Sequence, residues 1–238
     1  MTMKNMAQNK AGQKGFTLVE LSIVLVIIGL IVGGVLVGQA LVAAAKVRAQ
    51  LTQLDQFDAA INTFRTKYDC IPGDCANGVG YGLPGAAGNG NGLVDDGASG
   101  NTWAGELPVV WQQLSAQSLI PGSYDGGAFV LGTSAPASRL GLGGILMGYN
   151  GSSNYYTMAA FSTAVDYAAI IPAEAAFAID QKRDDSKPGS GAVTAVTDGF
   201  AGTADVTVAG CTDADATNPV YRVAVQTAAC ALRVRVSG

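Results

Sequence analysis

The residues of this 238-residue chain that could do chemistry are four cysteines, two groups of acidic or amide side chains and one glutamate in apolar surroundings. Cys70, Cys75, Cys211 and Cys230 form an even set, as two disulfides require in an exported chain. Four cysteines pair in three ways. Closeness in sequence favours Cys70–Cys75 with Cys211–Cys230; free thiols or a metal site are the alternatives in a reducing compartment. GNGNGLVDDG, residues 88–97, alternates oxygen-bearing side chains with glycines, as a calcium loop does. Asn89, Asn91, Asp95 and Asp96 are its candidate ligands. Calcium takes about six to eight oxygens, and an EF-hand-like loop has Asp first and an acid twelfth. With Asn91 fifth, Ala87 stands first and Ala98 twelfth, so both anchors are missing and an Asn-Gly turn is the plainer reading. Asp180, Asp184 and Asp185 are interleaved with Lys182, Arg183 and Lys187. Grouped carboxylates bind metal or move protons; a solvated, neutralised helix end is the bland account.

Composition narrows the chemistry further. There is no histidine, which removes Ser-His-Asp and Cys-His catalysis, His-ligated zinc and His-ligated haem. Charged residues are 13% of the chain, the formal net charge is −4, and no run of Lys or Arg could track phosphates, so no nucleic-acid partner is expected. The 32 glycines have no G-X-Y period, which excludes collagen. Eleven of them lie between Gly73 and Gly105, so that stretch reads as a long irregular loop. Gly141–Gly144 is too sparse for a dinucleotide site, and there is no phosphate loop or nucleophile–base pair. A membrane-anchored extracytoplasmic enzyme is the competing reading, without a motif behind it.

The amino terminus positions the glutamate. Residues 1–15 hold three lysines and no acid, and from Leu21 to Ala45 there are 25 residues without a charge. That run is long enough to cross a hydrocarbon core of about 30 Å. A secretory signal has a shorter apolar region followed by its cleavage site. Here the small-residue junction, Gly15–Phe16, precedes the apolar run, so a cut there removes a basic leader and keeps the span. Glu20 sits just inside. An unpaired carboxylate in the membrane core costs several kcal/mol, so Glu20 requires a partner or a neutral form. A cut after Gly15 creates one, the α-ammonium of Phe16, on the same chain or on a neighbour.

KGFTLVELSIVLVIIGLIVGG, residues 14–34, resembles the amino-terminal signature of the type IV pilin-like family, the type IV prepilins and the type II secretion pseudopilins. The match covers about 30 residues through Lys14, Gly15, Phe16, Thr17, Leu18 and Glu20. The resemblance implies cleavage after Gly15 by a membrane prepilin peptidase, N-methylation of Phe16, and a role for Glu20 in setting subunit register. It implies, as partners, copies of the chain, other pilins and an inner-membrane assembly platform. It also implies a single pass of the bacterial inner membrane with a cytoplasmic amino terminus, which charge bias alone supports only weakly because Lys46 and Arg48 follow the span. A simple signal-anchor helix is the alternative, and an adhesive or ligand-binding minor pilin, with the 73–150 loops exposed at the head, is a variant of the family reading. The chain departs from many members in having no proline from Phe16 to Tyr68. Gly29/Gly33 and Gly34/Gly38 form small-xxx-small pairs that permit close helix approach in lipid. The presence of Glu20 argues against the fibre-tip pseudopilin. The missing proline and the large head argue against an abundant major pilin.

Beyond the span the pattern becomes amphipathic. Val47, Leu51, Leu54, Phe57, Ile61, Phe64 and Tyr68 recur on one helix face, with Gln50 and Gln53 placed elsewhere on the wheel. One helix over 16–68 would be roughly 80 Å long, ended by Pro72. Helices are expected at Glu106–Leu119 and from Pro172 to Arg183, and short strands through about 160. Strands are expected at Val193–Thr197, Asp205–Val208, Tyr221–Gln226 and Leu232–Val236, with Cys211 and Cys230 bracketing the third. The expected class is α+β, a long amino-terminal transmembrane helix packed on a carboxyl-terminal head with an antiparallel sheet. Its parts are a cleaved leader 1–15, a transmembrane and polymerisation half 16–45, an amphipathic half 46–68 and an extracytoplasmic head 69–238. The Gly/Asn loop, the Trp-containing helix and the acidic helix end are similar to features of larger-headed family members.

Overall fold

Helix α1 (Leu18–Tyr68) forms because little in it stops a helix: it has no proline, and its four glycines are confined to Gly29–Gly38 among strong apolar residues. It ends where Asp69 turns left-handed (φ 57°) and donates its N–H to the Arg65 carbonyl at 2.8 Å, ahead of Pro72. The computed structural model describes residues 16–86, 88–96, 103–149, 152–161, 167–196, 210–213, 215, 217–225 and 229–237. It divides the chain into two compact units, Met1–Val42 and Ala43–Gly238. In the first unit every described apolar side chain is uncovered, and the helix is long and apolar enough to cross a membrane.

In the second unit the amphipathic stripe of α1 is the spine of the core. Leu54, Ile61 and Phe64 are almost fully buried, with Val47 and Phe57 beside them. Phe57 meets Trp111 of α2 (Leu107–Ala116) with ring centroids 4.9 Å apart, a tilted contact of the kind aromatic quadrupoles favour. The sheet is antiparallel throughout. β1 (Gly144–Tyr149) pairs with β2 (Asn154–Phe161), and β2 pairs with β6 (Ala229–Arg235). β6 also pairs with β4 (Ile171–Pro172) and β5 (Val193–Val196), while β3 (Tyr167–Ala168) adds to β2. Helix α3 (Ala173–Arg183) opens directly after Pro172. The architecture is the pilin-like α+β arrangement of a long apolar helix and an antiparallel sheet.

Three expectations are corrected. Tyr221–Gln226 is not a strand over its described residues: Tyr221 makes an isolated bridge to Thr212, and the chain then turns as the Val225 N–H reaches the Arg222 carbonyl at 3.0 Å. Cys230 does not flank a strand either, because it lies within β6. Gln50 and Gln53 are buried on the core side of α1. Gln50 Oε1 accepts from Ser138 Oγ and from the Arg139 N–H, both at 2.8 Å, and Gln53 Nε2 donates to the Ala137 carbonyl at 3.0 Å. They dock the 137–139 backbone, which a hydrophobic count along the helix cannot register. The expected strand Asp205–Val208 lies outside the described residues.

Candidate functional site

At the start of α1, Thr17 and Glu20 hold each other. Glu20 Oε2 accepts from the Thr17 N–H and from Thr17 Oγ1, each at 2.8 Å. The Glu20 N–H donates back to Thr17 Oγ1 at 3.2 Å. This is a reciprocal capping box, which satisfies two donors that a helix start leaves open. Thr17 is therefore a partner of Glu20 within the chain, where the sequence reading named only the Phe16 α-ammonium that cleavage would create. The signal was present as T-x-x-E ahead of an apolar run. Phe16 is 89% exposed beside it. Gly15, the expected cleavage residue, lies outside the described residues.

Residues 10–36 match the family described as the prokaryotic N-terminal methylation motif. The chain carries a type IV pilin-like amino terminus. No curated protein and no solved structure matches the chain.

In the second unit the 88–96 loop is organised from outside itself. Asp74 is almost fully buried; its Oδ1 accepts from the Gly90 and Asn91 N–H groups (2.6 and 3.2 Å) and its Oδ2 from the Gly92 N–H (2.7 Å). Glu106, at the start of α2, accepts from the Asn89 N–H at 2.9 Å and the Asp95 N–H at 3.1 Å. Burial pushes the Glu106 carboxyl up to about 7 against the pull of those two N–H groups, and Asp74 and Asp95 push the same way. Three of the four calcium candidates, Asn89, Asn91 and Asp95, are engaged within the loop. Asn89 Oδ1 accepts from the Asn91 N–H (2.8 Å), Asn91 Oδ1 accepts from the Leu93 N–H (2.7 Å), and Asn91 Nδ2 donates to Asp95 Oδ2 (3.2 Å). These are Asx turns, the geometry Asn-Gly sequences favour. The sequence reading missed Asp74 and Glu106 because both are remote from the loop they hold.

Among the described residues, the acids whose oxygens converge are Asp180, Asp184 and Asp185, with ligand atoms within 4.8 Å of one another. Asp180 is fully buried at the end of α3; it accepts from Tyr221 OH at 2.8 Å and from the Ser186 N–H at 3.1 Å. Burial raises its carboxyl to about 6, against those two bonds, with Asp185 and Asp184 adding to the rise. Asp184 accepts from the Ala192 and Val193 N–H groups, and Asp185 from the Lys187 N–H (2.9 Å) and Ser190 Oγ (2.7 Å). Gly191 has φ +83°, and a Cβ there would meet the Asp184 carboxylate, so glycine is required where the turn wraps the cluster. The arrangement joins α3 to β5 through backbone amides.

Cys70 pairs with Cys75 and Cys211 with Cys230, at sequence separations of 5 and 19. The first closes the turn that leaves α1. The second ties the 210–213 segment to β6.

Proposed function

We propose that the chain is a subunit of a type IV pilus or of a type II secretion pseudopilus. A prepilin peptidase cuts it after Gly15, Phe16 is N-methylated, and the product inserts in the bacterial inner membrane with its head outside the cytoplasm. It then joins other copies and other pilins through the first half of α1, on an inner-membrane assembly platform. The observation that carries this reading is the methylation-motif match at residues 10–36, which falls on a helix start followed by an uncovered apolar run. Uncovered apolar surface of that extent requires lipid or neighbouring helices. The residues proposed for processing and assembly are Gly15, Phe16 and Glu20. The chain fits a structural role better than catalysis, since the buried acids Asp74, Glu106 and Asp180 are engaged with backbone amides and a hydroxyl.

Cleavage removes three lysines and so takes the formal net charge from −4 to −7. Intact-mass analysis of membrane-extracted protein tests the proposal. A chain beginning at methylated Phe16 supports it. Full-length chain alone, recovered from cells with an active prepilin peptidase, overturns it.

A further inference from the structure

The second unit holds a cavity whose lining opposes the charge of the chain. The chain is acidic, with formal net charge −4. The cavity, about 620 Å³, is lined by Arg65, Arg183 and Arg235, and no carboxylate is among its lining residues. Three elements supply the cations: the last turn of α1, the last turn of α3 and the end of β6. Arg183 is fixed and balanced, with Nη1 3.1 Å from Asp55 and Nη2 2.5 Å from Asp58. Arg65 and Arg235 are exposed, and neither forms an ion pair among the described residues. Ser152 and Ser153 also line the cavity, and the buried Ile61 and Met147 add apolar surface.

A guanidinium presents a planar fork of donors that matches the two oxygens of a carboxylate, sulfate or phosphate. Two such forks without ion-pair partners among the described residues, set beside apolar side chains, are a recognition element for anions. The volume is in the range of small-ligand sites, about 300–1,000 Å³. No aromatic side chain lines it, so there is no stacking platform for a base. We propose that this cavity binds a small ligand with two acidic groups, carboxylate, sulfate or phosphate, held by Arg65 and Arg235. The proposal does not rest on fibre assembly, because it concerns a different unit of the chain and a different measurement.

The test is calorimetric titration of the full chain in uncharged detergent with three probes: inorganic pyrophosphate, a uronic-acid disaccharide and a disulfated disaccharide. Saturable binding of at least one probe is expected. The double variant Arg65→Gln/Arg235→Gln should weaken that binding about tenfold or more, as loss of charge-assisted hydrogen bonds does, without moving the melting temperature. Arg65→Lys/Arg235→Lys keeps charge and loses the forks, so it should bind with intermediate affinity. Arg222→Gln, an exposed cation outside the cavity, should bind as wild type. The preferred probe separates a phosphate source from an acidic-sugar source. Failure of all three probes to bind at about 10 mM, a range that captures even weak sites, overturns the proposal. So does wild-type affinity in the double Gln variant, or an equal loss in Arg222→Gln.

Discussion

Glu20 and Asp58 are both carboxylates on α1, and they are handled in opposite ways. Glu20 belongs to the first unit and is satisfied by Thr17, one turn away. Asp58 belongs to the second and is satisfied by residues far off in sequence. Its Oδ1 accepts from Tyr156 OH at 3.0 Å, and its Oδ2 from Arg183 Nη2 at 2.5 Å and from Ser237 Oγ. The first arrangement asks nothing of the tertiary fold and leaves the carboxylate on the surface. The second is a clasp that joins α1, β2, α3 and the carboxyl end. A charge satisfied locally on an uncovered helix is free to meet another chain, whereas a charge engaged by its own fold is a stability element.

The sharpest way to break this comparison separates the two properties of Glu20, its charge and its cap. Glu20→Gln keeps a capping-box residue, because Glu and Gln both serve at that position. It removes the charge. Thr17→Ala does the reverse. On the assembly proposal, Glu20→Gln should abolish or strongly reduce sheared-fibre yield, with unchanged processing and head melting temperature, while Thr17→Ala should retain most of the yield. Normal fibres from Glu20→Gln with none from Thr17→Ala would make Glu20 a capping residue only.

The corresponding break in the second unit is Asp58→Ala. It leaves the buried Tyr156 hydroxyl without its acceptor and the Arg183 guanidinium with only the exposed Asp55 as a counter-charge. Removing one member of a buried charge pair costs about 3–5 kcal/mol, which for a unit of this size lowers the melting temperature by about 10 °C. Thermal melts of the full chain in detergent measure it. A shift below a few degrees would mean that the clasp is peripheral to stability, and the contrast with Glu20 would lose its second half.

The same contrast explains what the sequence revealed. The uncovered apolar run, the amphipathic stripe and both disulfides depend on spacing within one segment, and each was legible. Helix α3 was placed to within a residue, because Pro172 and the Asp184–Asp185 pair mark its ends. The Asp58 clasp, the Gln50 and Gln53 contacts, and the hold of Asp74 and Glu106 on the 88–96 loop were not. Each joins residues remote in sequence, and each puts a polar side chain where periodicity assigns either core or solvent. Tyr221–Gln226 failed for a related reason. Its β-branched and aromatic residues fit a strand, but with the Cys211–Cys230 link and the turn at Arg222 the described residues form only one bridge, Thr212 to Tyr221. The cavity between α1, α3 and β6 was equally invisible, since its three arginines are far apart in the chain.

The smallest expected effect tests whether acids of the second unit act through burial rather than through a ligand. The Glu106 carboxyl is pushed from an ordinary 4.5 to about 7, and that of Asp180 from 3.8 to about 6, chiefly by burial. A raised folded-state pKa means that the folded protein binds the proton more tightly than the unfolded chain. Stability should therefore rise as pH falls from about 7 toward about 4.5. It should be lowest above pH 7, where both groups are ionised in the folded and unfolded states alike. Allowing for solvent screening, each group contributes about 1 kcal/mol, together a melting temperature several degrees higher at pH 5 than at pH 8. The gain is limited at the acid end by groups such as Asp215, held below the usual carboxylate range by the Thr217 and Asn218 N–H groups, whose contribution is lost on further acidification. Glu106→Gln with Asp180→Asn should flatten the difference between pH 5 and pH 8. A wild-type chain that melts higher at pH 8, or a double variant with an undiminished slope, would show that these carboxylates are ionised in place and that some cation compensates them.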